Sequence, residues 1–266
     1  MHPMLLRARH WLSLQAASDH VHAWLRAVLL GATCIVLVVP LLNRQHHAPR
    51  PVVRPPVAAA PQIKRELDLG KEPASADLRT LAQWIVSTAN NGAMNFAILD
   101  KKNAKVFVFE PGGKLVQASP VLLGYAKGDD SVAGIGKRPI DEVRPSERTT
   151  PAGRFVAEPG RNALHEDVVW IDYDAAVSMH RVRLTHPAEH RAERLRSANV
   201  QARRISYGCI NLPPSFFEQV VWPKFRQHGG VFYVLPEVKK LEAVFPEVGR
   251  SGSGGKSAPV ITASTS

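Results

Sequence analysis

The most informative stretch of this 266-residue sequence reads ISYGCINL, at positions 205–212. It places Cys209 directly after a glycine, whereas the second cysteine, Cys34, lies in an apolar run near the start of the chain. Because the thiolate is the reactive form of cysteine, a neighbouring histidine is needed to lower the pKa of Cys209 or to accept its proton. Gly208 favours close approach of a substrate and lets the amides around Cys209 point at an oxyanion.

The candidates for that base lie upstream of Cys209: they are His165, His180, His186 and His190. His180 ends an alternating strand pattern over residues 176–180, which would hold its ring in a fixed place. The residues thus predict a cysteine–histidine site for acyl transfer. The spacing leaves one alternative open, in which Cys209 is a buried thiol of the core.

Short strand-like segments surround this stretch and predict a mainly β domain, either a sandwich or a barrel. The segments are 95–99, 105–109, 114–123, 153–157, 167–173, 176–180 and 231–235. A helix is predicted to begin after Ser75, a suitable N-cap, and to stop at the Asn-Asn-Gly sequence of residues 90–92. Further helices are predicted over 187–199 and 215–227, with Pro223 ending or kinking the second of them.

The two ends of the chain differ in composition from this central part. Residues 27–42 carry no charge, so we expect a transmembrane signal anchor there, after a cytoplasmic leader at 1–26; removal as a signal peptide is the alternative. The prolines that follow predict a Pro-rich linker over 43–73. A folded domain is then expected over 74–248, with a disordered Gly/Ser/Thr-rich tail at 249–266.

The chain is strongly basic, with a formal net charge of +11 and a sequence pI near 10.0. This charge favours an anionic partner such as nucleic acid, membrane headgroups or an anionic polymer. Nucleic acid is disfavoured because the sequence has no recognised binding motif and follows a membrane anchor. The sequence HPAEH at 186–190 matches an inverted zinc-protease motif, but Pro187 prefers the first helical position and would leave His186 outside the helix.

The Cys209 stretch resembles the signature of the L,D-transpeptidases of bacterial cell-wall metabolism, the YkuD-type catalytic domain. That signature is a His, a spacer and then Ser/Thr-His-Gly-Cys-aliphatic-Arg/Asn, which His180 and residues 206–211 match. The sequence TPAGRF at 150–155 is similar to another element of the family, and the likeness covers about residues 94–236. The sequence departs from the family in having Tyr207 in place of the second His, Arg181 where Gly is frequent, and a longer spacer.

The resemblance implies an L,D-transpeptidase-like β-sandwich with peripheral helices. Cys209 would be the nucleophile and His180 the base, with Ser206, Tyr207 and Gly208 supporting the loop and the oxyanion, and Asn211 and Arg181 contacting substrate. The implied substrates are peptidoglycan stem tetrapeptides, carbapenems are possible inhibitors, and no metal or organic cofactor is required. The catalytic domain would lie in the periplasm, held at the inner membrane by the N-terminal helix. A catalytically inactive wall-binding module on the same fold is the alternative.

Between the two catalytic candidates lies an arginine-rich segment, defined here as residues 181–205, with seven arginines and two glutamates. Our hypothesis from the sequence is a basic lid over the cleft that recruits carboxylate-rich stem peptides or another anionic polymer of the envelope. The competing interpretation is a solvated helical face.

Overall fold

The structure is a computed structural model, and it describes residues 63–253. The predicted leader at 1–26, the predicted anchor at 27–42, most of the predicted linker and the end of the tail lie outside the described residues. Across residues 63–253, no helix combines the length and apolar character needed to span a membrane.

The described part of the chain is mainly β and is built on one large sheet. The strands are β1 Phe96–Asp100, β2 Lys105–Phe109, β3 Leu115–Pro120, β4 Leu123–Gly124, β5 Gly153–Arg161, β6 Asp167–Asp172, β7 Val177–Arg181, β8 Arg204–Ser206, β9 Ile210–Leu212 and β10 Gly230–Val234. Eight of them form the order β3-β2-β1-β10-β5-β6-β7-β9, and β4 pairs separately with β8. Leu122, just after β3, exchanges two backbone hydrogen bonds of 2.9 Å with Asn211 of β9, which gives the sheet a barrel-like form.

Helices cover the sheet and connect its strands. The α-helices are α1 Ala76–Thr88, α2 Arg191–Arg196, α3 Pro214–Phe216, α4 Trp222–Phe225, α5 Leu241–Val244 and α6 Pro246–Ser253. A π-helical turn, Phe217–Val221, joins α3 to α4, so the chain stays helical through Pro223. Short 3-10 helices occur at Ile135–Lys137, Ile140–Glu142, Pro145–Glu147, Pro187–Glu189 and Val200–Arg203.

The central strands β1, β2 and β10 are buried on both faces, which explains their nearly continuous apolar sequences. On one face, Ala97 and Leu99 of β1 pack in a cluster that includes the apolar side chains of residues 216–225. On the other face, Phe96 and Ile98 pack against α1 and the C-terminal helices. Two apolar layers therefore hold the sheet rigid and fix the positions of the strands that carry the site.

The predicted N-terminal helix is confirmed in its start and in its buried face. The Ser75 side chain accepts a hydrogen bond from the Leu78 amide, and the predicted apolar stripe of residues 78, 81, 82 and 85 is fully buried. The helix ends at Thr88, followed by Ala89 in a left-handed conformation. A polar stop sequence after an amphipathic run is thus sufficient to locate this element.

Other parts of the predicted fold require correction. The sheet is one barrel-like sheet rather than a sandwich of two, because strand pairing joins β1 to the distant β10 and brings the sheet edges together. The predicted strand over 114–123 is two strands, β3 and β4, and the short strands β8 and β9 were not predicted. At the ends, residues 66–68 of the predicted linker pair with residues 112–115, and α6 extends to Ser253, inside the predicted tail.

Candidate active site

The sheet brings Cys209 and His180 together although they are separated by a long segment of chain. His180 is on β7, and Cys209 immediately precedes β9, which runs parallel to β7 with Met179 opposite Ile210 and His180 opposite Asn211. This register places Cys209 beside Ser178, with the sulfur 3.8 Å from the Ser178 hydroxyl. Cys209 is a free thiol that is neither fully buried nor fully exposed.

Hydrogen bonds on both sides of the imidazole determine which nitrogen of His180 can act as a base. Nδ1 lies 2.8 Å from the carbonyl oxygen of Arg181, and since a carbonyl only accepts, Nδ1 carries the proton. Nε2 lies 3.3 Å from Nδ2 of Asn211. Because Nδ1 is engaged with the Arg181 carbonyl, Nε2 is the nitrogen left to interact with Cys209. In the neutral ring Nε2 is therefore the basic nitrogen.

The electrostatics of the pair favour charge separation. Burial alone would raise the pKa of the Cys209 thiol, but the hydrogen bond and charge of His180, with donors from Ser178, outweigh burial and lower it. Burial alone would lower the pKa of His180, but the interaction with Cys209 raises it. Opposite shifts in a contacting thiol and imidazole are those expected of a thiolate–imidazolium pair, the reactive state of a cysteine nucleophile.

The loop of residues 206–209 is held by side chains that the sequence places around it. The Ser206 hydroxyl donates to the carbonyl of Cys209 at 2.6 Å and accepts from the amide of Gly208 at 3.2 Å. Gly208 has φ +130°, and a Cβ there would lie 2.8 Å from the Thr149 carbonyl oxygen, so a larger residue does not fit. Ser206 and Gly208 thus shape the loop that precedes Cys209.

Thr150 holds the same loop from below, a role that the sequence analysis did not assign. Its hydroxyl donates to the carbonyl of Gly208 at 2.8 Å and accepts from the amide of Gly124 at 3.0 Å. Thr150 is the first residue of the TPAGRF element, and its side chain is buried. The TPAGRF element itself was the signal in the sequence for this role.

A buried ion cluster (Lys101, Asp129, Arg204 and Glu237) supports Thr150 and β8 from the interior. Lys101 Nζ lies 2.8 Å from Asp129 and 2.8 Å from the carbonyl of Thr150, and Arg204 pairs with Glu237. All four side chains are almost fully buried. Nothing in the sequence distinguished Lys101 from an exposed turn lysine, so this cluster is visible only in the tertiary structure.

Cys209 and His180 line a pocket of about 430 Å³. One wall comes from the cysteine loop with Tyr207, whose ring stacks on the Arg148 guanidinium at 3.8 Å and is 37% exposed. The opposite wall comes from the arginine-rich segment, through Arg183, Thr185, His186, Glu189 and Arg191. Ile140, which is 64% exposed, completes the rim.

The arginine-rich segment thus forms one wall of the pocket, but most of its arginines have other roles. Arg183 and Arg191 line the pocket. Arg194 donates to the carbonyls of Glu189 and Ala202, within the segment. Two other arginines tie the segment to the rest of the domain. Arg203 donates to the carbonyls of residues 103, 104 and 197, and Arg204 donates to those of residues 124 and 126. The arginine-rich segment is therefore held in place largely by bonds from arginines to backbone carbonyls, and few of its charges face the pocket.

The side chain of Arg181, which was predicted to contact substrate, does not line this pocket. Its guanidinium lies 2.5 Å from Glu218, donates to the Asp167 carbonyl and stacks on the ring of Phe217. Because successive side chains of a strand point to opposite faces, the neighbour of His180 faces the other side of the sheet, and there Glu218 and Phe217 hold its guanidinium. What Arg181 gives to the site is its backbone carbonyl, which accepts from His180.

Asn211, the other residue predicted to contact substrate, is 1% exposed and is bonded within the protein. Its Oδ1 accepts from Arg191 at 2.5 Å, and its Nδ2 lies 3.3 Å from both His180 Nε2 and the Cys209 carbonyl. It therefore connects the arginine-rich segment directly to the candidate pair of Cys209 and His180. Among the residues that sequence reasoning missed, Arg191 and Ser178 are the ones closest to this pair.

The HPAEH sequence does not form a zinc-binding helix. Pro187 begins a 3-10 helix with His186 outside it as the N-cap, as predicted, and His190 has φ +52° between this helix and α2. His190 pairs with Glu193, whereas Glu189 binds Arg191. Within residues 63–253, no three side chains of His, Cys, Asp or Glu are grouped so that they could hold a metal ion.

No family model matches the sequence, and no curated protein is significantly similar to it. Solved structures similar to this fold include the L,D-transpeptidase of Enterococcus faecium, at 17% identity and a TM-score of 0.33 over 53% of this chain and 50% of that one. They also include the L,D-transpeptidase LdtMt1 in complex with imipenem, at 18% identity and a TM-score of 0.31 over 53% and 58% of the two chains. A third is an L,D-transpeptidase of Xylanimonas cellulosilytica, at 13% identity and a TM-score of 0.33 over 57% and 68%. The chain thus spans about half to two thirds of the length of these enzymes.

Proposed function

We propose that this protein is a cysteine-dependent L,D-transpeptidase that acts on peptidoglycan stem tetrapeptides through an acyl-enzyme on Cys209. The observation that carries the proposal is the pairing of a partly exposed thiol with a half-buried imidazole, at the two positions that match the family signature. Burial would keep the two groups neutral, yet the pKa of Cys209 is lowered and that of His180 is raised. This electrostatic arrangement is of no use to a module that only binds the cell wall.

The first half of the proposed reaction forms the acyl-enzyme. The Cys209 thiolate attacks the carbonyl carbon between an L-centre and a D-residue, and the carbonyl electrons move to the oxygen to give a tetrahedral oxyanion. Because the amide of Gly208 already donates to Ser206, the amides of Tyr207 and Cys209 are the donors we assign to this oxyanion. When the intermediate collapses, the C–N bond breaks and His180 Nε2–H protonates the departing amine of D-alanine.

The second half resolves the thioester. The neutral His180 accepts a proton from an incoming amine as its nitrogen attacks the acyl carbon, and the C–S bond breaks to return the Cys209 thiolate. An amine of a second stem gives a cross-link, whereas water gives a trimmed tripeptide. All protons move between Cys209, His180 and the substrates, so the proposed cycle draws on no metal or organic cofactor.

Tyr207 stands where the family signature has histidine, and it does not remove either catalytic group in this proposal. Its ring forms a wall of the pocket, held by the guanidinium of Arg148, which donates to the carbonyl of Val143 through both Nε and Nη2. We infer that a flat, rigid and partly exposed ring at this point shapes the substrate groove beside the cysteine.

The same proposal includes location and inhibition. We propose that residues 27–42 anchor the chain in the inner membrane and that the domain works in the periplasm, where its substrate is. By the family resemblance, a carbapenem would acylate Cys209, because opening of the β-lactam ring by a thiolate follows the same steps as attack on the stem peptide.

The experiment that tests the function uses the full-length chain and its Cys209→Ala variant, each incubated with purified tetrapeptide muropeptides. Mass spectrometry would then identify the products. Loss of D-alanine that depends on Cys209 is the expected result, with a dimer indicating transpeptidation and a tripeptide indicating carboxypeptidase activity. Unchanged muropeptides with a folded wild-type protein would contradict the proposal and favour the inactive wall-binding module.

A further inference from the structure

The arginine-rich segment reaches the catalytic pair through one residue, Arg191 at the start of α2. Its guanidinium is clamped by Glu189, with Nε at 2.5 Å from one carboxylate oxygen and Nη2 at 3.3 Å from the other. Nη1 donates to Oδ1 of Asn211 at 2.5 Å. The Arg191 side chain is 14% exposed, so these bonds lie largely out of water, where charge-assisted hydrogen bonds are strong.

The charged bond from Arg191, at 2.5 Å, is the shorter of two contacts that fix which way the Asn211 amide faces; the other is the 3.3 Å bond from Nδ2 to the Cys209 carbonyl. Because Oδ1 is held by a donor that cannot accept, Nδ2 must face the other side, where it lies 3.3 Å from His180 Nε2 and 3.3 Å from the Cys209 carbonyl. An amide has one accepting and one donating end of nearly equal size. Without Arg191, only the 3.3 Å bond from Nδ2 to the Cys209 carbonyl would hold the amide in this direction.

The direction of this amide matters for the proton of His180. In the imidazolium form Nε2 carries a hydrogen, and the donating NH₂ group of Asn211 offers it no acceptor, so the hydrogen is directed to Cys209. If the amide were turned over, Oδ1 would accept this hydrogen and compete with the thiolate for it. Nδ1 remains bonded to the Arg181 carbonyl in either case, so the amide direction is the variable part of the arrangement.

We infer that Arg191, clamped by Glu189, is a positioning residue that fixes the amide direction of Asn211 and so reserves the Nε2 proton of His180 for Cys209. This inference rests on the proposed function in taking His180 and Cys209 as the reactive pair. Arg191 touches neither the sulfur nor the reacting carbonyl. Through Arg191, the arginine-rich segment would affect the reactivity of Cys209 in addition to forming a wall of the pocket.

The test measures alkylation of Cys209 by iodoacetamide at pH 7 and at pH 10 in the full-length chain, a reaction that needs no peptidoglycan. At pH 10 the thiolate forms without help from His180, so the two rates separate the reactivity of the pair from access to the sulfur. For Arg191→Gln we expect the pH 7 rate to fall about tenfold, the effect of losing one hydrogen bond to a charged group, with an unchanged rate at pH 10. Arg196→Gln removes the same charge from an exposed position of α2 and should change neither rate.

Two further variants make the test independent of folding defects. In an Asn211→Ala background there is no amide to orient, so Arg191→Gln should have no additional effect. Asn211→Asp places an acceptor beside Nε2 permanently and should reproduce the fall at pH 7 even if Arg191→Gln does not fold. A pH 7 rate within twofold of wild type in Arg191→Gln, or a fall that persists in the Asn211→Ala background, would overturn the inference. A protein that shows this alkylation pattern but leaves muropeptides unchanged would contradict only the proposed function.

Discussion

Asp129 in the buried ion cluster offers a sharp test of how the site is supported. Its carboxylate lies 2.8 Å from Lys101 Nζ, and the two side chains are 1% and 0% exposed. The same carboxylate accepts the backbone amides of Glu237, Val238 and Lys239 at 2.8, 2.9 and 2.6 Å. Replacing Asp129 by Asn keeps the shape but removes the charge that is closest to Lys101.

The size of the effect follows from the burial. Burial alone would raise the pKa of Asp129, but the bond from Lys101 and the three amides lower it from 3.8 to about 2. At 1.36 kcal/mol for each pKa unit, ionisation of Asp129 stabilises the fold by about 2.5 kcal/mol. The substitution also leaves Lys101 without its closest partner, and breaking a buried ion pair typically costs about 3–5 kcal/mol.

Urea unfolding at pH 7, followed by circular dichroism, would measure this change in the free energy of unfolding. Asp130→Asn is the matched control, because Asp130 is 72% exposed and its ion pair with Lys239 is a surface pair worth about 0–1 kcal/mol. Because the pKa of Asp129 is depressed, its contribution is complete above its unfolded pKa and is lost as the pH falls from about 4 to about 2. Wild type should therefore lose more stability than Asp129→Asn in this range.

The reasoning would be refuted if Asp129→Asn and Asp130→Asn differed in unfolding free energy by less than about 1 kcal/mol, the level of a surface pair. It would also be refuted if wild type and Asp129→Asn lost the same stability between pH 4 and pH 2. Either result would mean that the ion cluster is more hydrated, and holds Thr150 and β8 less firmly, than its burial indicates.

Three further predictions concern the cysteine loop; two use the rate of alkylation of Cys209 and one uses urea unfolding. Gly208→Ala should slow alkylation strongly at every pH. Gly208 has φ +130°, and an added Cβ would lie 2.8 Å from the Thr149 carbonyl oxygen, so the loop would have to move. A wild-type rate would contradict this expectation. Thr150→Val removes the bond to the Gly208 carbonyl and should lower the free energy of unfolding in urea by about 1–3 kcal/mol. The control is Thr149→Val, which loses only an exposed bond to the Asp130 carbonyl and should unfold as wild type does. In His180→Gln, the largest contribution that opposes burial is lost, so the pKa of Cys209 should rise and the midpoint of the pH–rate profile should move upward. An unmoved midpoint would exclude His180 as the partner.

The sequence was sufficient for features that depend on neighbours in the chain. The helix after Ser75 was predicted because its cap, its apolar spacing and its stop sequence all lie within one short segment. Strand β2 was predicted with the bounds that the structure has, 105–109, because its apolar residues run without interruption between two turns. The glycine before Cys209 and the histidine near the end of β7 were likewise visible as local patterns.

Features that depend on pairing across the fold could not be predicted in this way. The strands β8 and β9 have three residues each, too few for an alternating pattern to show, and they exist because β4 and β7 lie beside them. No local pattern marks Lys101 as buried, since its burial depends on Asp129 and Glu237, which are distant in sequence. The position of the Arg181 side chain, which was predicted to contact substrate, also depends on distant residues, because Glu218 and Phe217 determine where it lies.

The sequence by itself thus determined the chemical identities of the site: a cysteine after a glycine, a histidine at a strand end, and an arginine-rich segment between them. Only the tertiary structure decided how these groups act on one another. The parallel register of β7 and β9 sets His180 beside Cys209 and opposite Asn211. The fold of the segment selects Arg191, among seven arginines, to reach that asparagine. The physical reason is that residue type fixes what a group can donate, accept or attack, whereas distance and burial, which set its pKa and its partners, arise from long-range packing.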